Sequence, residues 1–276
     1  MSILTSAINF IAVLCNQILS ELIIIGSGTS QLKISLQFFE NSLLPNLRKF
    51  EDDFQELPRL IGSSLDILET NLGNNSVLIK EISKIKNDIE NVINKEFHLT
   101  TEIECYRDRL VENIHEIEAK DKKDLLKEKQ DNLDALNDLE KQKQTIEEQI
   151  SQLQFQMSMM IADPWYAEMI RGQVAALIFS KDSITNQMSV NSKRREEITN
   201  KLNKVDHDLN NCSSLTDSIG QLMNKIQGTK NELSAIKAML SNQEDFLDFS
   251  NPSLALLNIE IIRNMLNDGA IADLVG

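Results

Sequence analysis

Proline and glycine are scarce in this sequence, 4 and 9 among 276 residues, and aromatic side chains make up only 5%. Sheet-built folds need frequent turns and many β-branched or aromatic residues, so the scarcity argues for long helices. Cysteine is nearly absent too. Cys15, Cys105 and Cys212 lie far apart without a Cys-x-x-Cys pair, which is no disulfide framework. They read as single buried thiols and leave the redox compartment open.

Positive charge is in deficit. Lys and Arg number 28 against 42 Asp and Glu, a net charge of −14. Phosphate binding needs clustered cations in surplus, so nucleic acid is not an expected partner. Simple electrostatic capture by anionic lipid is disfavoured for the same reason, and any membrane contact must come from apolar burial.

Catalytic groups are few. His98, His115 and His207 are the histidines. Glu112 and His115 have the Glu-x-x-His spacing of a helical di-iron site, but the second copy that such a site needs is missing. No nucleophile elbow, phosphate-cradling glycine loop or Cys–His motif is present. The sequence therefore predicts no enzyme, no metal and no cofactor.

What the chain has in abundance is helical periodicity. The opening "MSILTSAINFIAVLCNQILSELIIIGSG" carries one charge, Glu21, before Lys33. It lacks the basic start of a signal peptide. Thr5, Asn9, Asn16 and Ser20 form a narrow polar stripe, which fits a helix buried in a bundle better than a membrane segment. Residues 1–72 read as two helices, the first to about Ile25 and the second over roughly 29–60, with breaks or kinks near Pro45 and Pro58. "NLGNNS" at 71–76 is a turn.

From Gly73 to Pro164 the chain has neither Gly nor Pro. Leu78, Ile82, Ile85, Ile89, Val92, Leu99, Ile103, Tyr106 and Leu110 follow steps of four and three. That is a heptad seam, and Glu96 stands where it expects an apolar residue. The register loosens in the charged run 116–131, then resumes at Leu139, Ile146, Ile150, Leu153, Met157 and Met160. Asp163 and Pro164 form a helix start, because proline pushes its predecessor out of the α region and suits the first helical position. A second long helix returns from Trp165. "NPSLALLNIEIIRNMLNDG" adds one more amphipathic helix near the end.

At the join lies "MSMMIADPWYAEMI", residues 157–170, which holds four of the nine methionines and the only tryptophan. From Gln149 through Ser180 the charges are Asp163, Glu168 and Arg171 alone. The expected architecture is all-α: an elongated antiparallel bundle of long coiled helices with an apolar helical hairpin as head at one end. The tail takes residues 1–150 and 182–276, the head 151–181. Met has three free torsions and a polarisable sulfur, suited to lipid or protein surfaces. Trp and Tyr rings suit the headgroup layer. Met157, Met159, Met160, Ile161, Pro164, Trp165, Tyr166, Met169, Ile170, Val174, Leu177, Ile178 and Phe179 are the candidate membrane-inserting residues. The bland alternative is that the same stripe is ordinary core under the N-terminal helices.

An apolar N-terminal helix, a long coiled pair and the mid-chain hairpin "MSMMIADPWYAEMIRGQVAALIF" (157–179) together resemble the cytolysin A-type α-pore-forming toxins. That group includes the haemolysin BL and non-haemolytic enterotoxin components and tripartite relatives. The resemblance covers nearly the whole chain and rests on layout rather than a short motif. It implies membrane binding, then pore assembly with other components of the same toxin. About ten exposed apolar residues at the tip would drive association, so the soluble form is expected to hide residues 157–179, either against a neighbouring copy in a small homo-oligomer or under its own N-terminal helix. The resemblance further implies secretion without a recognisable signal peptide and action at a host-cell membrane. The hairpin departs from cytolysin A in reading as two helices rather than a β-tongue. Each arm of about 15 residues reaches about 22 Å, short of the ~30 Å hydrocarbon core, which implies an initiating or accessory component. The rival class is a coiled-coil tether or rod without membrane activity.

Heptads on both sides of a proline-marked turn predict a far-UV circular dichroism spectrum dominated by helix and an extended scattering profile. A radius of gyration near the ~19 Å of a compact chain of this length contradicts the sequence reading.

Overall fold

The computed structural model of the chain describes residues 2–159, 164–242 and 252–275. All regular structure among them is helical. In order come α1 (Ile3–Glu21), α2 (Ser27–Phe38), α3 (Leu44–Thr70), α4 (Asn75–Glu116), α5 (Lys122–Met159), α6 (Pro164–Ser241), α7 (Pro252–Asp268) and α8 (Ala270–Val275). Single π-helical turns at Phe39–Leu43 and Ile117–Asp121 precede α3 and α5.

The described chain is all-α, as expected, and its first 72 residues hold two continuous helical runs, 3–21 and 27–70, the second passing from α2 to α3 through the π-helical turn. The first helix stops at Glu21, short of Ile25. Thr29 Oγ1 then accepts from the Ile25 and Gly26 backbone N–H groups at 3.0 and 3.1 Å, which starts α2 at Ser27. Near Pro45 the helix is not broken: a π-helical turn ends directly before α3, whose second residue is Pro45, and the backbone stays helical through it. Pro58 causes no break. Leu57, Ile61, Leu65 and Leu68 are buried on both sides of it, and their packing carries α3 through the missing hydrogen bond. Gly73 closes the turn between α3 and α4 with a φ of 110°, the left-handed region that glycine enters freely.

Contacts divide the chain into two units, one made of Met1–Glu116 with Asp208–Gly276, the other of Ile117–His207. In the first unit α4 packs on α2 and α3, while α1 packs on α2 and α3 and meets α8. All nine predicted seam residues of α4 are buried. Burying a Leu or Ile side chain stabilises by about 1.5–3 kcal/mol, so this seam is a main source of the unit's cohesion. Opposite it runs α6, antiparallel: Lys237 meets Glu90 at 3.1 Å, and Lys230 lies 5.5 Å from the centre of the Phe97 ring. Cys15 and Cys212 are buried as expected, and burial pushes both thiols up to about 12. Cys105 is exposed, against expectation, because it falls between seam positions Ile103 and Tyr106 on the outer side of α4.

The sequence pattern on α6 is more regular than its polar composition suggests. Ile170, Leu177, Ile184, Asn191, Ile198, Val205, Cys212, Ile219, Ile226, Leu233 and Leu240 recur every seven residues. Leu177 and Asn191 are half-buried and the other nine are buried. Among the described residues of the second unit, this stripe faces α5. Ion pairs order the two arms antiparallel: Lys122 to Asp206 at 2.6 Å, Arg194 Nε to Glu128 at 2.9 Å, and Lys181 to Glu147 at 2.8 Å.

The C-terminal helices are tied to α6 by one carboxylate. Glu232 accepts from the Ala270 N–H at 2.7 Å and the Ile271 N–H at 2.9 Å. Gly269 lets the chain pass, since a Cβ there would sit 2.7 Å from the Met265 carbonyl oxygen and 2.6 Å from the Glu232 carboxylate. Gly269→Ala is therefore expected to lift α8 off α6 and cost about 1–3 kcal/mol, the range for a buried donor left unsatisfied. Glu232→Ala should give a comparable loss. Hydrogen exchange of residues 265–275 checks both, and unchanged protection in either variant contradicts the assignment.

Candidate functional site

The helical hairpin is built where α5 ends and α6 begins. Pro164 is the first residue of α6, as its fixed φ favours. Met160, Ile161 and the expected capping residue Asp163 lie outside the described residues. The other predicted head residues fall into two groups. Ile170 is 1% exposed, and Met157, Tyr166, Val174 and Leu177 are half-buried. Four of these five continue the seams along which α5 and α6 pair, while Tyr166 stands one turn ahead of Ile170.

The second group points away from that seam. Met159, Trp165 and Phe179 are 73%, 81% and 77% exposed, and Pro164, Met169 and Ile178 are exposed as well. Phe155, at 65%, joins them. Sequence reading missed Phe155 although its signal was present: it stands one turn before Met159 inside the charge-poor stretch. Two helices meet along one line only, so apolar residues elsewhere on their circumference remain in solvent. An apolar cluster of this size is unusual on a soluble monomer, and such patches mark interaction surfaces.

Charge brackets the hairpin instead of covering it. Arg171 pairs with Glu168 at 3.0 Å within α6. Further back, Lys181 reaches across to Glu147 at 2.8 Å, and that hydrogen bond holds the Glu147 carboxyl below its usual value. The side chains from Gly172 through Ser180 on α6, and from Gln149 through Met159 on α5, carry no charge.

Among the described residues, no group of three or more His, Cys, Asp and Glu side chains is placed to hold a metal ion. His98, His115 and His207 are all exposed. His98 lines a groove of about 200 Å³ between α3 and α4 with Lys49, Asp53, Lys95 and Glu102, where Lys95 is already held by Asp53 at 2.6 Å. That groove offers no nucleophile–base pair.

No family model matches the sequence, and no curated relative does. Solved structures do match over essentially the whole length. The soluble AhlC of the tripartite α-pore-forming toxin AHL from Aeromonas hydrophila is 13% identical, with 99% of this chain and 98% of that one covered at a TM-score of 0.64. The AhlB pore of the same toxin is 9% identical, with 100% and 96% covered at 0.60. The SmhB pore of the tripartite toxin Smh from Serratia marcescens is 12% identical, with 98% and 96% covered at 0.55. The chain has the fold of these toxin components.

The division of the hairpin into seam and outward residues separates two kinds of substitution. Phe179→Asp and Met159→Asp should leave stability within about 0.5 kcal/mol of the parent, as surface changes do. Ile170→Asp buries a charge between the arms and should open the hairpin at a loss of several kcal/mol. Limited proteolysis across residues 151–181 distinguishes them. Equal sensitivity of all three variants contradicts the division.

Proposed function

We propose that this chain is a component of a multi-partner pore-forming toxin that engages membranes through the hairpin at 151–181. The observation that carries the reading is the outward apolar set, Phe155, Met159, Trp165 and Phe179, on a protein of net charge −14. Such a protein gains nothing from the field of an anionic surface, so membrane affinity has to come from apolar contact. The shared fold with tripartite toxin components supports the same assignment. In this reading residues 151–181 are the head and 1–150 with 182–276 the tail. The chain acts after secretion, at a target-cell membrane, and has no catalytic step.

Sixteen residues of α6 lie between Pro164 and Lys181, about 25 Å of helix, so the arms enter a bilayer without comfortably crossing it. Lysis then requires the partner components. Before membrane contact the outward set has to be covered, and a small homo-oligomer with heads together does this. The N-terminal helix is already engaged in its own unit through Leu4, Ile8, Ile11, Cys15 and Ile18.

Purified chain is expected to co-sediment with neutral phosphatidylcholine vesicles, to release little entrapped dye alone, and to lyse cells when partner components are added. Phe179→Asp should weaken vesicle binding by tenfold or more, since an ionised carboxylate costs about 2–3 kcal/mol to bring into hydrocarbon. The same variant should shift the soluble form toward monomer. A folded protein that ignores vesicles returns the assignment to a coiled-coil tether. Strong dye release by the chain alone makes it a lone pore former.

A further inference from the structure

The α4 seam contains one residue that does not belong in an apolar row. Glu96 is 1% exposed, between Val92 and Leu99, and its Oε2 has no hydrogen-bond partner. Across from it on α6 stands Lys230, half-buried, with its ammonium over the Phe97 ring at 5.5 Å. Thr229, fully buried beside Lys230, donates to its own helix at Ile226 O, 2.6 Å away. It offers Glu96 no hydroxyl proton.

The surrounding charges are otherwise engaged. From α3 the carboxylate at this level, Asp53, is held by Lys95. On α6, Glu232 is occupied by the backbone N–H groups that start α8. The one charged residue of α8, Asp273, is exposed, and α1 carries no charge before Glu21. On α4 itself His98 is exposed, and Glu102 receives Asn46 Nδ2 at 3.2 Å. Among the described residues, Lys230 is the cation that acts on Glu96.

We propose that Glu96 and Lys230 form a pH-sensitive latch between α4 and α6. With its carboxyl protonated, Glu96 is a neutral side chain of suitable volume in the seam, and the two helices close over it. Once ionised, a buried carboxylate with an unfilled oxygen lowers its energy by drawing in water or turning toward Lys230, and either movement loosens the seam at this level.

Titration sets the direction. Burial raises the Glu96 carboxyl from 4.5 to about 7, and the attraction of Lys230 opposes that rise. A raised folded-state value means that the native form prefers the proton. The group imposes no penalty below pH 4.5, where folded and unfolded chains are both protonated. The penalty grows through the interval and is complete above about pH 7. The latch is therefore shut in mild acid and slack at neutral and alkaline pH, the reverse of a salt-bridged carboxylate. The reading concerns the first unit alone and uses no property of the head, so it stands or falls separately from the membrane assignment.

Hydrogen exchange on the full chain tests it, with Glu96→Gln and Lys230→Gln compared against the parent at pH 5 and pH 8. Comparing variants at a fixed pH cancels the intrinsic exchange rates. At pH 8 Glu96→Gln should protect residues 89–103 and 226–237 at least tenfold better than the parent, and at pH 5, just above the 4.5 where the penalty begins, the ratio should fall to about fourfold or less. Lys230→Gln removes the cation that favours ionisation, so the pH at which the segment loosens should move upward. A Glu96→Gln advantage that is the same at both pH values overturns the latch, as does loosening unmoved in Lys230→Gln. Should Glu96→Gln fail to fold, the Lys230→Gln midpoint alone decides the matter.

Discussion

Along α6 a buried or half-buried side chain recurs every seven residues, from Ile170 to Leu240, and within each unit the helices that meet α6 pack on that stripe. An α-helix turns once in 3.6 residues, so a seven-residue spacing returns almost to the same side and keeps one edge inward for the helix's whole length. The edge demands a cover. Over residues 208–241 the cover is plural, with α4, α1 and α8 all in reach, and most of the stripe there is sealed to 0 or 1% exposure. Over 164–207 the cover among the described residues is α5, and the same stripe drops to half-buried at Leu177 and Asn191.

The difference in cover explains the difference in chemistry between the units. Where several helices surround the stripe, an apolar side chain on either flank finds a neighbour, and polar intruders such as Glu96 and Asp208 are buried with it. Where two helices meet, only the line of contact is dry. Hydrophobic residues placed off that line are necessarily exposed, and the chain places Phe155, Met159, Trp165, Met169 and Phe179 there. In a two-helix hairpin, exposure follows from geometry rather than from looseness. Among the described residues of this unit, no third helix covers the apolar residues, so they are displayed.

Much of this was legible in the chain itself. The α4 seam could be read position by position, including the anomaly at Glu96, because a four–three spacing over many turns has no rival explanation. The hairpin was legible from missing charge and from Pro164. Its internal division was not. Ile170 and Phe179 are equally apolar, and only the angle at which α5 meets α6 puts one inside and the other in solvent. The regularity of α6 also escaped, since its stripe passes through Asn191 and Cys212 and lies among polar neighbours that mask it in composition. Pro58 misled for the opposite reason, being a strong local breaker overridden by buried neighbours on both sides. The π-helical turn at Ile117–Asp121 falls where the seam's register loosens, since one extra residue in a turn shifts the spacing, but no residue type marks it or the turn at Phe39–Leu43 as π-helical.

The unequal burial of the three cysteines has a practical side. A thiol reacts as its thiolate, and Cys15 and Cys212, buried and raised to about 12, hold almost none at neutral pH. Cys105 is exposed on α4. Under native conditions a maleimide dye or spin label therefore has one place to go, without any cysteine being engineered in or out. The molecule carries its own single attachment point, on the opposite unit from Trp165, so a covalent probe and an intrinsic fluorophore report on the two units separately.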